Sequence, residues 1–357
     1  MDTFFRSYLF SYIFIVGLPL GCLGIALLHF LMGGRWGFTI RRIVIAGART
    51  IWLGALLFVP LLLGLDWLYP WTEPEAVTEG HGFNPAYLNV PFFIIRAVIY
   101  FAVWSGMAWL LTRMAEKTNI ESDPMAQRRL QRLSSFGLIV LVLTVTFAMI
   151  DWVMSLYENW YSAIFGLLMV AGFVLNALSF ALLIRPILMR KEGKGAYSIP
   201  PPVFRDLGAI LFTSVMMWAY LHFSQYLIIW GGNIPREAAW YAARNTGGWE
   251  FLTIFLIIFQ FALPFAALLS VRVKENPVLL AALGAIILAT GLLQTFWLVM
   301  PAFYPGTLTV SFFDILLPLV LSALWIAAFL FHFRRTPASF DYESLSMESS
   351  QERRTVG

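Results

Sequence analysis

Two titratable residues set inside apolar runs, Asp151 and His222, are the side chains of this sequence best placed to do chemistry. A carboxylate and an imidazole together can accept two protons, such as those released when a quinol is oxidised. Both titrate near neutral pH after modest perturbation. Gln225 follows His222 by three positions, which puts the two on one face of a helix. Arg96, Glu158, Glu250 and Asp314 lie near the ends of other apolar runs. If these seven residues converge, they build a polar pocket of carboxylates, one imidazole and one guanidinium. Each has a plainer reading beside this one. Glu158, Glu250 and Asp314 sit where helix capping or snorkelling is ordinary, and Arg96 can simply pair with Asp151.

A sparser set lies toward the opposite ends of the runs: Asn176, Gln260, Arg49 and His29, with Thr144 and Ser179. It would suit a water-lined half-channel for protons. Amides and hydroxyls also serve to join helices in apolar surroundings, so both readings stay open. The lone Cys22 rules out a disulfide framework, an iron–sulfur cluster or a structural zinc site held by this chain alone. Haem ligation needs two histidines on facing helices at matching depth. Only His29 and His332 match, His81 falls in a loop, and nothing else supports a haem. No phosphate loop, nucleophile elbow or metal motif is present, so no metal ligand is expected.

The elements that must position these residues are membrane spans. Of 357 residues 60% are hydrophobic and 12% charged, about half the charge of a soluble domain. Apolar runs long enough to cross a bilayer occur near 8–31, 42–65, 91–113, 134–156, 160–185, 205–231, 249–271, 277–299 and 311–333. Helices are the natural assignment, because a span must satisfy its own backbone. Loops one, three, five and seven and the tail hold nearly all the Lys and Arg; the opposite side holds Arg6, Arg236 and Arg244. Basic loops stay cytoplasmic, which puts the N-terminus outside and the C-terminus in the cytoplasm. No cleavable signal peptide is read, so the first span would insert as a reverse anchor or follow an upstream helix. The loop 66–90 is acidic and aromatic, and residues 336–357 read as a polar cytoplasmic tail. A net charge of +4 confined to short loops is not a nucleic-acid signal.

Three stretches then carry a resemblance. The run Asp151-Trp-Val-Met-Ser-Leu-Tyr-Glu-Asn-Trp-Tyr-Ser-Ala-Ile-Phe-Gly166 resembles a signature of the ActF family of bacterial alternative complex III. Phe223-Ser-Gln-Tyr-Leu-Ile-Ile-Trp-Gly-Gly-Asn-Ile-Pro235, followed by Gly247-Gly-Trp249, resembles a second. Leu27-Leu-His-Phe-Leu-Met-Gly-Gly-Arg-Trp36, with Arg41-Arg42, resembles the family's early helix and loop. The likeness runs to about Arg335. Where the family commonly has Glu-Pro-His, this chain has Tyr157, Glu158 and Asn159, so the carboxylate is displaced and the imidazole is an amide.

The resemblance implies an all-α membrane protein of the NrfD-like (polysulfide-reductase) type: two four-helix bundles plus a peripheral helix, ten helices when complete. The divisions expected are residues 1–157 for the first bundle, 158–300 for the second and 301–335 for the peripheral helix. The implied role is a membrane subunit of a quinol:electron-acceptor oxidoreductase in the bacterial inner membrane. Menaquinone or ubiquinone is the implied quinone. Haem and iron–sulfur clusters would sit in partners: a multihaem cytochrome c, an iron–sulfur protein and a sister NrfD-like subunit, all among membrane lipids. The sister subunit is the expected quinol oxidiser, with this chain as quinone-binding subunit, scaffold or proton pathway; the alternative within the class is an NrfD-like quinol-oxidising subunit of another redox complex. Two rivals come from other classes. A secondary transporter would show broken helices in corresponding positions of two halves, with Pro19 and Pro264 as candidates. A purely structural scaffold would tolerate Asp151→Asn and His222→Ala.

Overall fold

The computed structural model describes residues 1–73, 84–117, 124–158, 160–191 and 199–337. His81, Asn159 and nearly all of the polar tail lie outside the described residues. Those described form helices and turns without a strand, and nine helices are long and apolar enough to cross a membrane. They are α1 (Asp2–Met32), α2 (Arg35–Leu63), α3 (Val90–Lys117), α4 (Pro124–Trp152) and α5 (Phe165–Lys191), then α6 (Pro201–Gly232), α7 (Trp249–Leu269), α8 (Pro277–Val299) and α9 (Phe312–Arg335). This is an all-α membrane protein. The face where α1 begins is here the N-terminal face, and the face where α9 ends the C-terminal face.

Several helices run past the apolar stretches that announce them. Helix α2 starts at Arg35 rather than 42, and α4 at Pro124 rather than 134. Arg41, Arg42, Arg128, Arg129 and Arg132 are therefore helical, not loop residues. Hydropathy falls where charge begins, but the backbone ladder continues, because arginine is a good helix former; the heads of Arg128, Arg129 and Arg132 are exposed, whereas Arg41 is buried. Helix α5 starts later than expected, at Phe165, because residues 160–164 form the turn that follows α4.

Helices α1–α4 pack as one four-helix ring and α5–α8 as a second. The rings meet through α1, α4, α5 and α8, and α9 leans on α1 and α2 from outside. Burial separates centre from rim: 94% of the apolar window of α1 is buried, against 28% for α9. A stripe of small residues brings the centre together, as between membrane helices generally. At Gly21 an added Cβ would lie 2.0 Å from the backbone oxygen of Phe173, so α1 and α5 touch backbone to backbone.

Two helices are interrupted. In α2 the ladder breaks at Arg49–Thr50, where Thr50 Oγ1 donates to the Gly47 carbonyl at 2.7 Å and accepts from Trp325 Nε1 at 2.9 Å. A hydroxyl that back-bonds in this way bends helices. In α7 residues Ile257–Ala262 form a π turn ending just before Pro264. Proline lacks the N–H that the carbonyl of Gln260 would accept, and a π turn is one way to absorb that loss.

Candidate functional site

The seven residues expected near the N-terminal face do not form one pocket. Asp151, at the end of α4, faces Arg96 of α3 in a two-point clamp: Nε to Oδ2 at 2.8 Å and Nη2 to Oδ1 at 2.9 Å. Tyr100, one turn along α3, donates to the same Oδ2 at 2.8 Å. Arg96 Nη1 donates to the Tyr87 carbonyl at 2.8 Å, and its guanidinium lies 3.9 Å from the Tyr87 ring centroid. Arg96 and Asp151 are both buried, so a planar fork bonded at both ends offsets their loss of water. The plainer reading of Arg96 is the one the geometry follows. Trp152, next to Asp151 in sequence, is surrounded by Phe58, Phe101 and Trp104, with the Phe58 and Trp152 centroids 4.9 Å apart.

His222 belongs to the second bundle, and its partner is not one of those that hold Asp151. Its neighbour is Gln294 of α8, whose Nε2 lies 2.7 Å from His222 Nε2. Trp218 Nε1 donates to Gln294 Oε1 at 2.9 Å, which fixes the amide's orientation. The amide nitrogen therefore donates to the ring, His222 Nε2 is the acceptor, and the imidazole proton sits on Nδ1. One turn along α8, Thr290 Oγ1 is hydrogen-bonded to Gln260 Oε1, from the π turn of α7. At Gly291 an added Cβ would meet Asn176 Oδ1 at 2.1 Å, so the α5 amide lies directly against the α8 backbone. Ser179 is one turn further along α5. Gln260 Nε2, Asn176 Oδ1 and Ser179 Oγ are buried without a hydrogen-bond partner among the described residues. Buried polar atoms of this kind are ordinarily satisfied by water.

The result is a file of separate polar groups down the second bundle: the His222–Gln294 pair, the Thr290–Gln260 pair one turn away on α8, and Asn176 and Ser179 on α5. From Gln294 to Thr290 it descends about 6 Å along α8. Gln260 and Asn176, expected toward the C-terminal side, lie beside Thr290 and Gly291 of α8. Arg49 and His29 do not. Arg49 pairs with Glu116 of α3 and donates to Thr336 Oγ1 at 3.4 Å. His29 lies among Trp36, Phe38 and Phe30, its ring centroid 5.0 Å from that of Phe38. His332 sits elsewhere, accepting from Trp52 Nε1 at 3.0 Å. In the first bundle Thr144 accepts from Trp104 Nε1 at 2.8 Å, so it acts as a helix-joining hydroxyl.

The remaining residues near the N-terminal face act locally. Gln225 Oε1 accepts from Ser162 Oγ at 3.1 Å, a different partner from that of His222. Glu250 accepts from the Gly248 backbone N–H at 2.9 Å at the start of α7. Asp314 closes a capping box with Ser311 and accepts from Ser7 Oγ at 2.6 Å, tying α9 to α1. Glu158 is exposed in the turn after α4.

Arg244 has the sequence context of an ordinary loop cation, yet it is fully buried. It donates to the carbonyls of Trp240 at 2.6 Å, Leu298 at 2.9 Å and Trp297 at 3.2 Å, and to Tyr157 Oη at 2.6 Å. Its guanidinium lies 3.3 Å from the Trp240 ring centroid, and Trp240 stacks on Trp160 at 4.7 Å. Burial lowers its pKa from the usual arginine value, while Tyr157 opposes that shift. Arg244 thus fastens the α4–α5 turn, the α6–α7 loop and the end of α8 together. No feature of its neighbourhood in sequence signals this except the density of Trp and Tyr around it. Gln294 and Thr290 were legible in principle, as an amide and a hydroxyl four apart in an apolar run.

No protein-family model and no curated protein sequence matches this chain.

Proposed function

We propose that this chain is an integral subunit of a multisubunit quinol:electron-acceptor oxidoreductase of the alternative complex III type, in a bacterial inner membrane with its C-terminus cytoplasmic. The resemblance supports the class, and the file of buried polar groups in the second bundle carries the role. Asp151 is bonded to Arg96, while His222, Gln225, Glu250 and Asp314 have other partners in separate places, which does not fit a quinol headgroup in this chain. Quinol binding is therefore assigned to the sister subunit. Electrons would leave through clusters and haems of partner chains.

This chain contributes a two-bundle frame and a proton route. His222 Nε2 is the proton-accepting atom. When it takes a proton, the Gln294 amide loses its acceptor and must turn, which couples protonation on α6 to the amide on α8. Gln260, Asn176 and Ser179 position water below it. Amides and hydroxyls are suited to this, because they both donate and accept.

A transporter would place its helix breaks at corresponding positions of the two halves. Here they fall in α2 and α7, the second helix of one bundle and the third of the other. The test is genetic and biochemical. Membranes lacking this chain should lose quinol-dependent reduction of the acceptor and regain it on complementation. Unchanged quinol oxidation in the deletion strain would refute the assignment.

A further inference from the structure

The break in α2 opens a cleft of about 670 Å³ between α2, α3 and α9 at the C-terminal face. It is unrelated to the polar file and does not depend on the redox reading. Its walls are apolar and aromatic, with Ile51, Trp52, Ala108 and Trp109 along its length. Its mouth is cationic: Arg49, Arg113 and Arg335 line it, with Glu116 as the lone carboxylate. Glu116 is engaged by Arg49. Arg113 and Arg335 are exposed and form no ion pair among the described residues. Each instead rests on an aromatic face, Arg113 4.9 Å from the Trp109 centroid and Arg335 3.9 Å from that of Phe331. Stacking holds the two guanidinium groups beside the cleft while leaving their N–H donors available.

Two guanidinium groups with no ion-pair partner among the described residues, at a helix-end level above a groove whose inner wall is apolar and whose side is open, match one occupant in charge and shape. We propose that this cleft binds an anionic phospholipid, its phosphate between Arg113 and Arg335 and an acyl chain along Trp52 and Trp109. A basic pocket between spans is the kind of site that selects an acidic headgroup. A neutral quinone ring would leave both cations without a counter-charge.

The experiment is native mass spectrometry of the full chain, delipidated in mild detergent and offered phosphatidylglycerol or phosphatidylcholine. The expected result is one phosphatidylglycerol retained per chain, about 30-fold in preference to phosphatidylcholine, from two arginines at a membrane surface. Arg113→Gln with Arg335→Gln should abolish the preference, whereas Arg128→Gln with Arg129→Gln, on the same face, should keep it. Glu116→Gln, which releases Arg49, should raise retention, so a gain of function guards against misfolding of the double variant. Excess inorganic phosphate should not displace the lipid, since it lacks the acyl chain. Equal retention of the two lipids, an unchanged double variant, displacement by phosphate alone, or mole-for-mole displacement by a quinone would each overturn the proposal.

Discussion

Arg96, Asp151 and Arg244 show how a membrane protein keeps charge inside, and by two different means. Asp151 has a guanidinium and a phenol within 2.9 Å. Arg244 has only neutral acceptors, three carbonyls and one phenol. Removing one member of a buried pair leaves the other uncompensated. Arg96→Gln or Asp151→Asn should therefore cost about 3–5 kcal/mol of stability, read as a lower Tm of the detergent-solubilised chain. The double variant Arg96→Met with Asp151→Leu should recover most of that loss, and should retain quinol-dependent turnover in the complex. Loss of turnover with normal folding would instead make Asp151 a proton carrier. Arg244→Gln should cost about 3 kcal/mol, because several buried acceptors lose their donors. Arg244→Lys should rescue only part, since one ammonium cannot span the same fork. For His222 the expectation differs. His222→Phe keeps the ring volume but not the acceptor, so the complex should assemble and proton release coupled to quinol oxidation should fall at least tenfold, as for loss of a positioned acid–base group.

At the scale of the elements, existence was easier to read than extent or pairing. The nine membrane-length helices among the described residues all stand out as apolar runs, because a bilayer-crossing helix must be apolar for about 20 residues. Their polar extensions did not, since Arg41 and Arg128 lower hydropathy without ending the helix. Interruptions were half visible: Pro264 marked α7, but nothing about Thr50 distinguishes a hydroxyl that breaks a helix from one that does not. Pairing was the least legible. His222 and Gln225 share a face of α6, yet one reaches α8 and the other the α4–α5 turn. Only three-dimensional packing decides between such partners. The π turn gives a prediction at this scale. Pro264→Ala should restore the regular ladder, rotate Gln260 away from Thr290 and weaken proton release as His222→Phe does, while leaving the first bundle's Arg96–Asp151 pair intact. Turnover-coupled proton release at the wild-type level in this variant would show that the π turn does not set the file.

For the whole molecule, the two rings and the outer α9 follow from who packs on whom, and α1 and α5 form the shared spine. Gly21→Leu should split that spine, because the new side chain would occupy the space of the Phe173 carbonyl. The chain should then fail to accumulate in membranes, as measured by immunoblot of the membrane fraction. The function proposed for this architecture is that of a frame and proton route within a larger redox assembly. Purification of the tagged chain in mild detergent, with identification of what accompanies it, tests that claim most directly. Recovery of a multihaem cytochrome c, an iron–sulfur protein and a second multi-span subunit is expected, in a preparation that oxidises quinol. Recovery of the chain alone, or of a homo-oligomer without haem absorbance or quinol oxidation, would contradict it.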